Sequence, residues 1–185
     1  MRKDRIQGLF LRHEDDAVGL RPKEGVITFK LEHPDGTVEQ FVRCNLIVKT
    51  ASILVARLVK NNLEPGLKGI TYLAVGQGDP AWDPMNPPAA TADQETLENE
   101  IARKAFSAVD FIDDDGNVSG SPTSIVDFTT VFGPGEAAAP WVEQGLVGGV
   151  VTSAPYSGTL VNYATFPVIN KPAASTMTVV WRLTF

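Results

Sequence analysis

Asp113, Asp115 and Asn117 stand at the first, third and fifth positions of a calcium-loop pattern, in which side-chain oxygens on alternate residues surround a hard cation. The pattern stops there. Its sixth position, where glycine makes the sharp turn, is Val118, and its twelfth, where a bidentate glutamate belongs, is Ser124. Asp115-Gly-Asn117 therefore reads as a solvated hairpin turn, and no metal site is expected. Gly76-Gln-Gly-Asp79 follows a strand-like run, the context of a phosphate-cradling loop, but the third glycine, the lysine and the helix start are missing. Asp79 would also repel phosphate, so a turn is the expectation.

Hydrolytic chemistry has few other footholds. His13 and His33 lie in an N-terminal arm and beside a hairpin turn, neither near an evident nucleophile. A glycosidase needs two carboxylates about 5 to 9.5 Å apart, and Glu136 and Glu143 are the pair to inspect among 22 acidic residues. As turn and strand-edge charges they carry no reaction by themselves. Trp82, Trp141 and Trp181 could form a sugar-stacking platform, but Trp181 alternates with Val179 and Leu183 as a core residue does, whereas Trp82 sits in a polar loop suited to an interface. Cys44 is the only cysteine, which rules out an intramolecular disulfide and a cysteine zinc site. Between Val42 and Leu46 it reads as a small buried hydrophobe. No catalytic residue, metal or cofactor is expected.

The elements that would position these residues are mostly strands. Ile27, Phe29 and Leu31 alternate with Thr28, Lys30 and Glu32, Pro34-Asp-Gly36 makes a turn, and Thr37 to Cys44 completes a hairpin. Asn45 is placed to cap a helix reaching about Lys60, with Ile47, Ala51, Leu54, Val55 and Leu58 on its apolar stripe. Asn61, Asn62, Pro65 and Gly66 end it. Gly69 to Gly76 reads as a strand, and Asp79 to Ala90 as a long proline-rich contact loop. Thr91 and Gln94 have capping-box spacing, which predicts a short helix with Leu97 and Ile101 inward and Glu100 four residues before Lys104. Strands follow near Ala105 to Ile112, Ser124 to Phe132, Trp141 to Leu146, Thr159 to Phe166 and Thr176 to Phe185, the last either paired inside a sheet or presented to a neighbouring subunit. The fold class is mainly β with one or two helices: an antiparallel β-sandwich with an N-terminal hairpin and a packed amphipathic helix.

Composition narrows the partners. A net charge of −6 disfavours binding to phosphate backbones, and the most apolar stretch, Leu46 to Val59, is broken by Lys49, Thr50, Ser52 and Arg57, so no membrane span is expected. The basic start Met1-Arg-Lys-Asp-Arg5 lacks the apolar core of a signal peptide, which leaves the product in the cytoplasm where it is made. One domain with appendages fits the length: residues 1–44 as an arm and hairpin available for docking, and residues 45–185 as the helix and sandwich.

Six short words recur in one order: Asn45 to Ile47; Gly76 to Gly78; Leu97, Asn99, Glu100, Ile101 and Arg103; Glu143 to Leu146; Phe166 to Lys171; and Trp181 to Phe185. In that order they resemble the small β-sandwich proteins of tailed-phage particles, of the neck, baseplate and fibre-attachment type, over residues 46–185. The resemblance implies a virion component, assembled in the host cytoplasm, that acts as an adaptor or as a ring or fibre-attachment subunit without catalysis. It implies other virion structural proteins as partners and a homo-oligomer in the particle, with no nucleic acid and no membrane. Capsid decoration is the alternative within that class, and a carbohydrate-binding module the alternative outside it. Phe10, Asp79, Trp82, Trp141 and Phe185 are the candidate interface residues.

Overall fold

The computed structural model describes residues 24–59 and 65–185. Its strands are β1 (Glu24–Glu32), β2 (Val38–Cys44), β3 (Leu46–Ile47), β4 (Leu67–Gly76), β5 (Glu100–Ala105), β6 (Ala108–Ile112), β7 (Val118–Ser119), β8 (Ile125–Phe132), β9 (Pro140–Val150), β10 (Thr159–Asn170) and β11 (Thr176–Thr184), with one helix, α1 (Lys49–Val59), among the described residues. They form two antiparallel sheets, β2-β1-β11-β8-β6-β7 and β3-β10-β9-β4-β5. The mainly β sandwich expected from the strand spacing is therefore the architecture observed.

Period-two alternation decides what lies between the sheets. Ile27, Phe29 and Leu31 of β1 and Met177, Val179, Trp181 and Leu183 of β11 are all buried, and they meet Leu73, Val75, Trp141, Leu146, Phe166 and Ile169 from the second sheet in one core. Edge-on aromatic pairs stitch the layers, Phe29 with Phe166 at 5.1 Å and Phe132 with Trp141 at 5.2 Å between ring centroids. The closing strand is paired inside its sheet, between β1 and β8, rather than presented to a neighbour. β1 is equally internal, its nine residues all in register with β11, so the hairpin is built into the sandwich.

A third layer covers the far face of the second sheet. Ala51 and Leu54 of α1 pack on Val161, while Val48, Ala74, Leu97, Val147, Leu160 and Tyr163 form a neighbouring cluster. The helix starts later than Asn45 predicts, because Leu46 and Ile47 pair with Tyr163 and Asn162 as a short strand. Its inward stripe is also narrower than expected, since Leu58 is exposed. Residues 60–64, which include the expected helix end at Lys60, Asn61 and Asn62, lie outside the described residues, as do His13, Phe10 and the rest of the arm up to residue 23.

Two expectations, a helix and a strand, change in this region. The helix expected after Thr91 is absent: residues 91–99 hold no helix, and Glu100 to Ala105 pair with β4. The strand expected from Ala105 to Ile112 is divided at Phe106 and Ser107, where the chain leaves the second sheet and joins the first. Phe106 stacks 5.0 Å from Phe128, and Ser107 N donates to Thr129 O at 2.7 Å, which fixes the crossing. An open edge on β4 offers residues 100–105 more hydrogen bonds and apolar contact than an isolated helix of six residues can make for itself.

Phe29 has no exposed surface and touches both sheets. Phe29→Ala is expected to cost about 3 to 5 kcal/mol, read as a lowered urea midpoint with an unchanged denaturant slope.

Candidate interface site

The segment joining β4 to β5 is shaped by a carboxylate from a different strand. Glu143 lies in β9, flanked by β4 and β10, with no exposed surface. Its Oε1 accepts from the amides of Asn99 at 2.8 Å and Gly78 at 3.1 Å, and its Oε2 from the amide of Glu98 at 2.9 Å and the hydroxyl of Tyr163 at 2.5 Å. A buried charge is tolerated only when its lone pairs are occupied, and here four donors occupy them. Burial, followed by the hydrogen bond to Glu143 and its negative charge, pushes the Tyr163 hydroxyl far above the ordinary tyrosine range, so it remains a donor.

Close approach explains the glycines of this turn. A Cβ on Gly76 would lie 2.4 Å from Glu143 Oε1 and 2.6 Å from Asn99 O, and one on Gly78, whose φ is +71°, would lie 2.5 Å from the Trp82 ring. The Gly76-Gln-Gly78 turn is thus a seat for a carboxylate and an indole, in agreement with the turn reading.

Beyond it the proline-rich loop is fixed by short-range and long-range bonds. Asp79 Oδ1 accepts from Ala81 N at 2.7 Å, Trp82 N donates to Asp79 O at 2.9 Å, and Asp83 Oδ1 accepts from Met85 N at 3.0 Å. The loop is tied to β10 by Val168 N donating to Pro84 O at 2.8 Å and by Thr165 Oγ1 donating to Pro88 O at 2.6 Å. Trp82 is half-buried, while Asp79 is exposed and Met85 is 64% exposed. A loop held this firmly presents an indole edge, a thioether and two carboxylates without ordering cost on contact, which suits a protein interface.

A second buried cluster flanks β5. Arg103 Nε and Nη2 donate to Glu100 at 2.5 and 2.7 Å, and Arg103 Nη1 reaches Ser157 O at 2.8 Å. Glu100 N donates to Tyr156 OH at 3.0 Å, and Glu100 Oε2 accepts from Tyr156 N at 3.0 Å, so this ion pair fastens the 151–158 loop to the strand. The helical pairing of Glu100 with Lys104 is accordingly replaced: in a strand the two side chains are not stacked one turn apart, and Lys104 instead pairs with Glu136 at 2.5 Å. The cavity beside this cluster, about 10 Å³, is the size of one water.

The other sequence candidates separate. Trp141 is fully buried against Phe132, with Nε1 donating to Ala137 O at 2.9 Å, and Trp181 is fully buried as well, so neither reaches a partner and the three tryptophans form no common platform. Phe185 is exposed at the end of β11, its amide donating to Ser124 O at 3.0 Å. Glu136 is a turn charge as expected; its pairing with Lys104 holds its carboxyl below the usual range. Glu143 is an interior residue rather than a strand-edge charge. Asp113 Oδ1 accepts from the amides of Asp115 and Asn117 at 3.0 and 2.8 Å, the bonds of a turn. Cys44, expected buried, is exposed, because it faces outward on an edge strand. His33 bridges Ser175 and Glu39.

The sequence singled out Glu143 only as a strand-edge carboxylate, not as the centre of the site. The signal for Glu143 was a single acid inside an apolar run, Trp141-Val-Glu-Gln-Gly-Leu-Val147, and the helical reading paired Glu100 with Lys104 rather than with Arg103.

Residues 67–142 match the family model described as Baseplate wedge 3 tail fiber network component. That match agrees with the resemblance carried by the ordered words, and it points to a structural role in the phage tail or baseplate, within the virion and in contact with other virion proteins. It spans β4, the whole pinned loop and strands β5 to β8. No curated protein matches the chain.

Glu143→Gln turns one acceptor into an amide that faces a donor, and about 2 to 4 kcal/mol of stability should be lost. Limited proteolysis should then cut within residues 77–99. The sign of the tyrosine effect is also fixed. The folded Tyr163 hydroxyl titrates above its unfolded value of about 10, so its contribution is complete below that pH and is lost as pH rises above it. Stability measured from pH 8 to about 11 should fall, and Tyr163→Phe should flatten the fall.

Proposed function

We propose that the chain is an adaptor of the tail or baseplate, a ring or fibre-attachment subunit that joins virion proteins through contacts and performs no catalysis. The family match over residues 67–142 carries this reading. The pinned loop within that segment supplies the contact surface, with Asp79, Trp82 and the exposed Met85 at its front and Phe185 as an additional apolar contact. The subunit is made in the host cytoplasm and enters the particle by docking a rigid surface, which requires no reaction at the site. Carboxylates that would be needed for hydrolysis have structural tasks instead, since Glu143 is surrounded by four protein donors and Glu136 is paired with Lys104.

Mass spectrometry of purified particles should find the chain at a fixed copy number, and its absence from mature virions would sink the reading. Met85→Arg, at a position with little packing to lose, should leave the melting temperature within about 2 °C. The same variant should lower the amount incorporated into particles about tenfold, measured by quantitative mass spectrometry against wild type.

A further inference from the structure

Among the described residues β2 is the outer strand of its sheet, seven residues long, and it contains neither proline nor a bulge. Its hydrogen-bonding phase is fixed at both ends of the hairpin: His33 N donates to Thr37 O and Asn45 N to Gly25 O. Bonded pairs therefore fall at every second position, through Leu31 with Glu39, Phe29 with Phe41 and Ile27 with Arg43. Glu39, Phe41 and Arg43 turn their backbone groups toward β1. Val38, Gln40, Val42 and Cys44 turn theirs away from β1, to an edge with no partner strand among the described residues.

That edge is complementary to itself. When two copies of β2 run antiparallel about a two-fold axis at Phe41, Gln40 meets the partner copy's Val42 and Val38 meets its Cys44, so the residues with free backbone groups pair with one another. In the same register Glu39 lies opposite Arg43 of the other copy on one face, twice, on either side of a Phe41–Phe41 contact. On the other face Val38, 52% exposed, and Val42, 56% exposed, gain apolar cover. A register shifted by one residue loses both charge pairs, and one shifted by two places Glu39 or Arg43 against a residue of no charge.

The side chains within one copy leave room for these bonds. Arg43 Nη1 donates to Val42 O at 2.8 Å and Nε is buried, while Nη2 has no partner among the described residues and is the donor left for Glu39 of a second copy. Glu39 uses Oε1 for His33 and leaves Oε2 free to accept. Val42 O keeps a second lone pair for the incoming amide.

From this charge and hydrogen-bond complementarity we infer that β2 is a self-association edge whose occupant is β2 of a second copy, joining two six-stranded sheets into one continuous sheet. The inference goes beyond the adaptor role and does not rest on where the chain sits in the particle. An edge this short buries an area at the small end of protein interfaces, so the pairing is weak in dilute solution and strengthened where copies are held together.

Sedimentation equilibrium of the full chain from about 1 μM to 1 mM should show a reversible dimer. Glu39→Arg and Arg43→Glu should each weaken it about tenfold or more, while the double variant and an equimolar mixture of the two single variants should recover it. Recovery shows that the single variants are folded. Phe41→Cys in a Cys44→Ser background places the new thiols across the two-fold axis, at a Cα separation of about 4.5 Å, and should oxidise to a covalent dimer. A wild-type chain that stays monomeric to about 1 mM, or a dimer indifferent to the charge variants, would overturn the assignment. Neither result bears on the presence of the chain in particles, which mass spectrometry decides separately.

Discussion

The buried carboxylate of Glu143 is the constraint on which the second sheet and its cover depend. An unpaired carboxylate between strands would cost several kcal/mol, so β9 can hold this residue only if donors are brought to it. Three of the four come from the backbone at Gly78, Glu98 and Asn99, on either side of a long irregular loop, and the fourth from Tyr163 on the adjoining strand. Satisfying one charge therefore closes the base of that loop and sets where β5 begins. Gly76 is bare because the oxygen and the Asn99 carbonyl approach too closely for a side chain.

From that base the rest of the cover follows. β5 begins where the Glu143 contacts end, and its Glu100 and Arg103 hold a second loop through Tyr156 and Ser157. Lys171 plays a comparable part at the other end of the sandwich. It is almost fully buried, its Nζ donates to Gly133 O and Ser175 O at 2.9 Å, and burial lowers its affinity for the proton. In each case a charged side chain gathers backbone groups of irregular segments that no strand partner could satisfy, which is how loops without regular structure remain defined.

The strand crossings at Phe106–Ser107 and at Asn45 show why local pattern placed some boundaries well and others poorly. Strand β1, its turn and β2 were legible because alternation and turn chemistry agree there: Ile27, Phe29 and Leu31 face inward, Gly36 takes positive φ, and Asp35 binds Thr37. At residues 91–105 the local pattern favoured a helix, with a capping box and apolar residues four apart. The outcome was decided by β4, whose open edge lies in a different part of the sequence. Cys44 fails similarly, since flanking apolar residues do not reveal that a strand is the last in its sheet.

By itself the sequence determined the class of the fold, the alternating core of β1 and β11, and the absence of a complete ligand pattern at Asp113 to Asn117, because each is a property of residues close together in the chain. Ordered words scattered over residues 46–185 also carried the resemblance to phage particle proteins, with which the family match over residues 67–142 agrees. Tertiary structure alone decided that Trp141 is core, that Glu143 is a hub rather than an edge charge, and that β2 is the outer strand of its sheet among the described residues. These outcomes depend on which strands become neighbours. Pairing across more than forty residues is governed by total burial and by the satisfaction of polar groups, quantities that no short window of sequence contains.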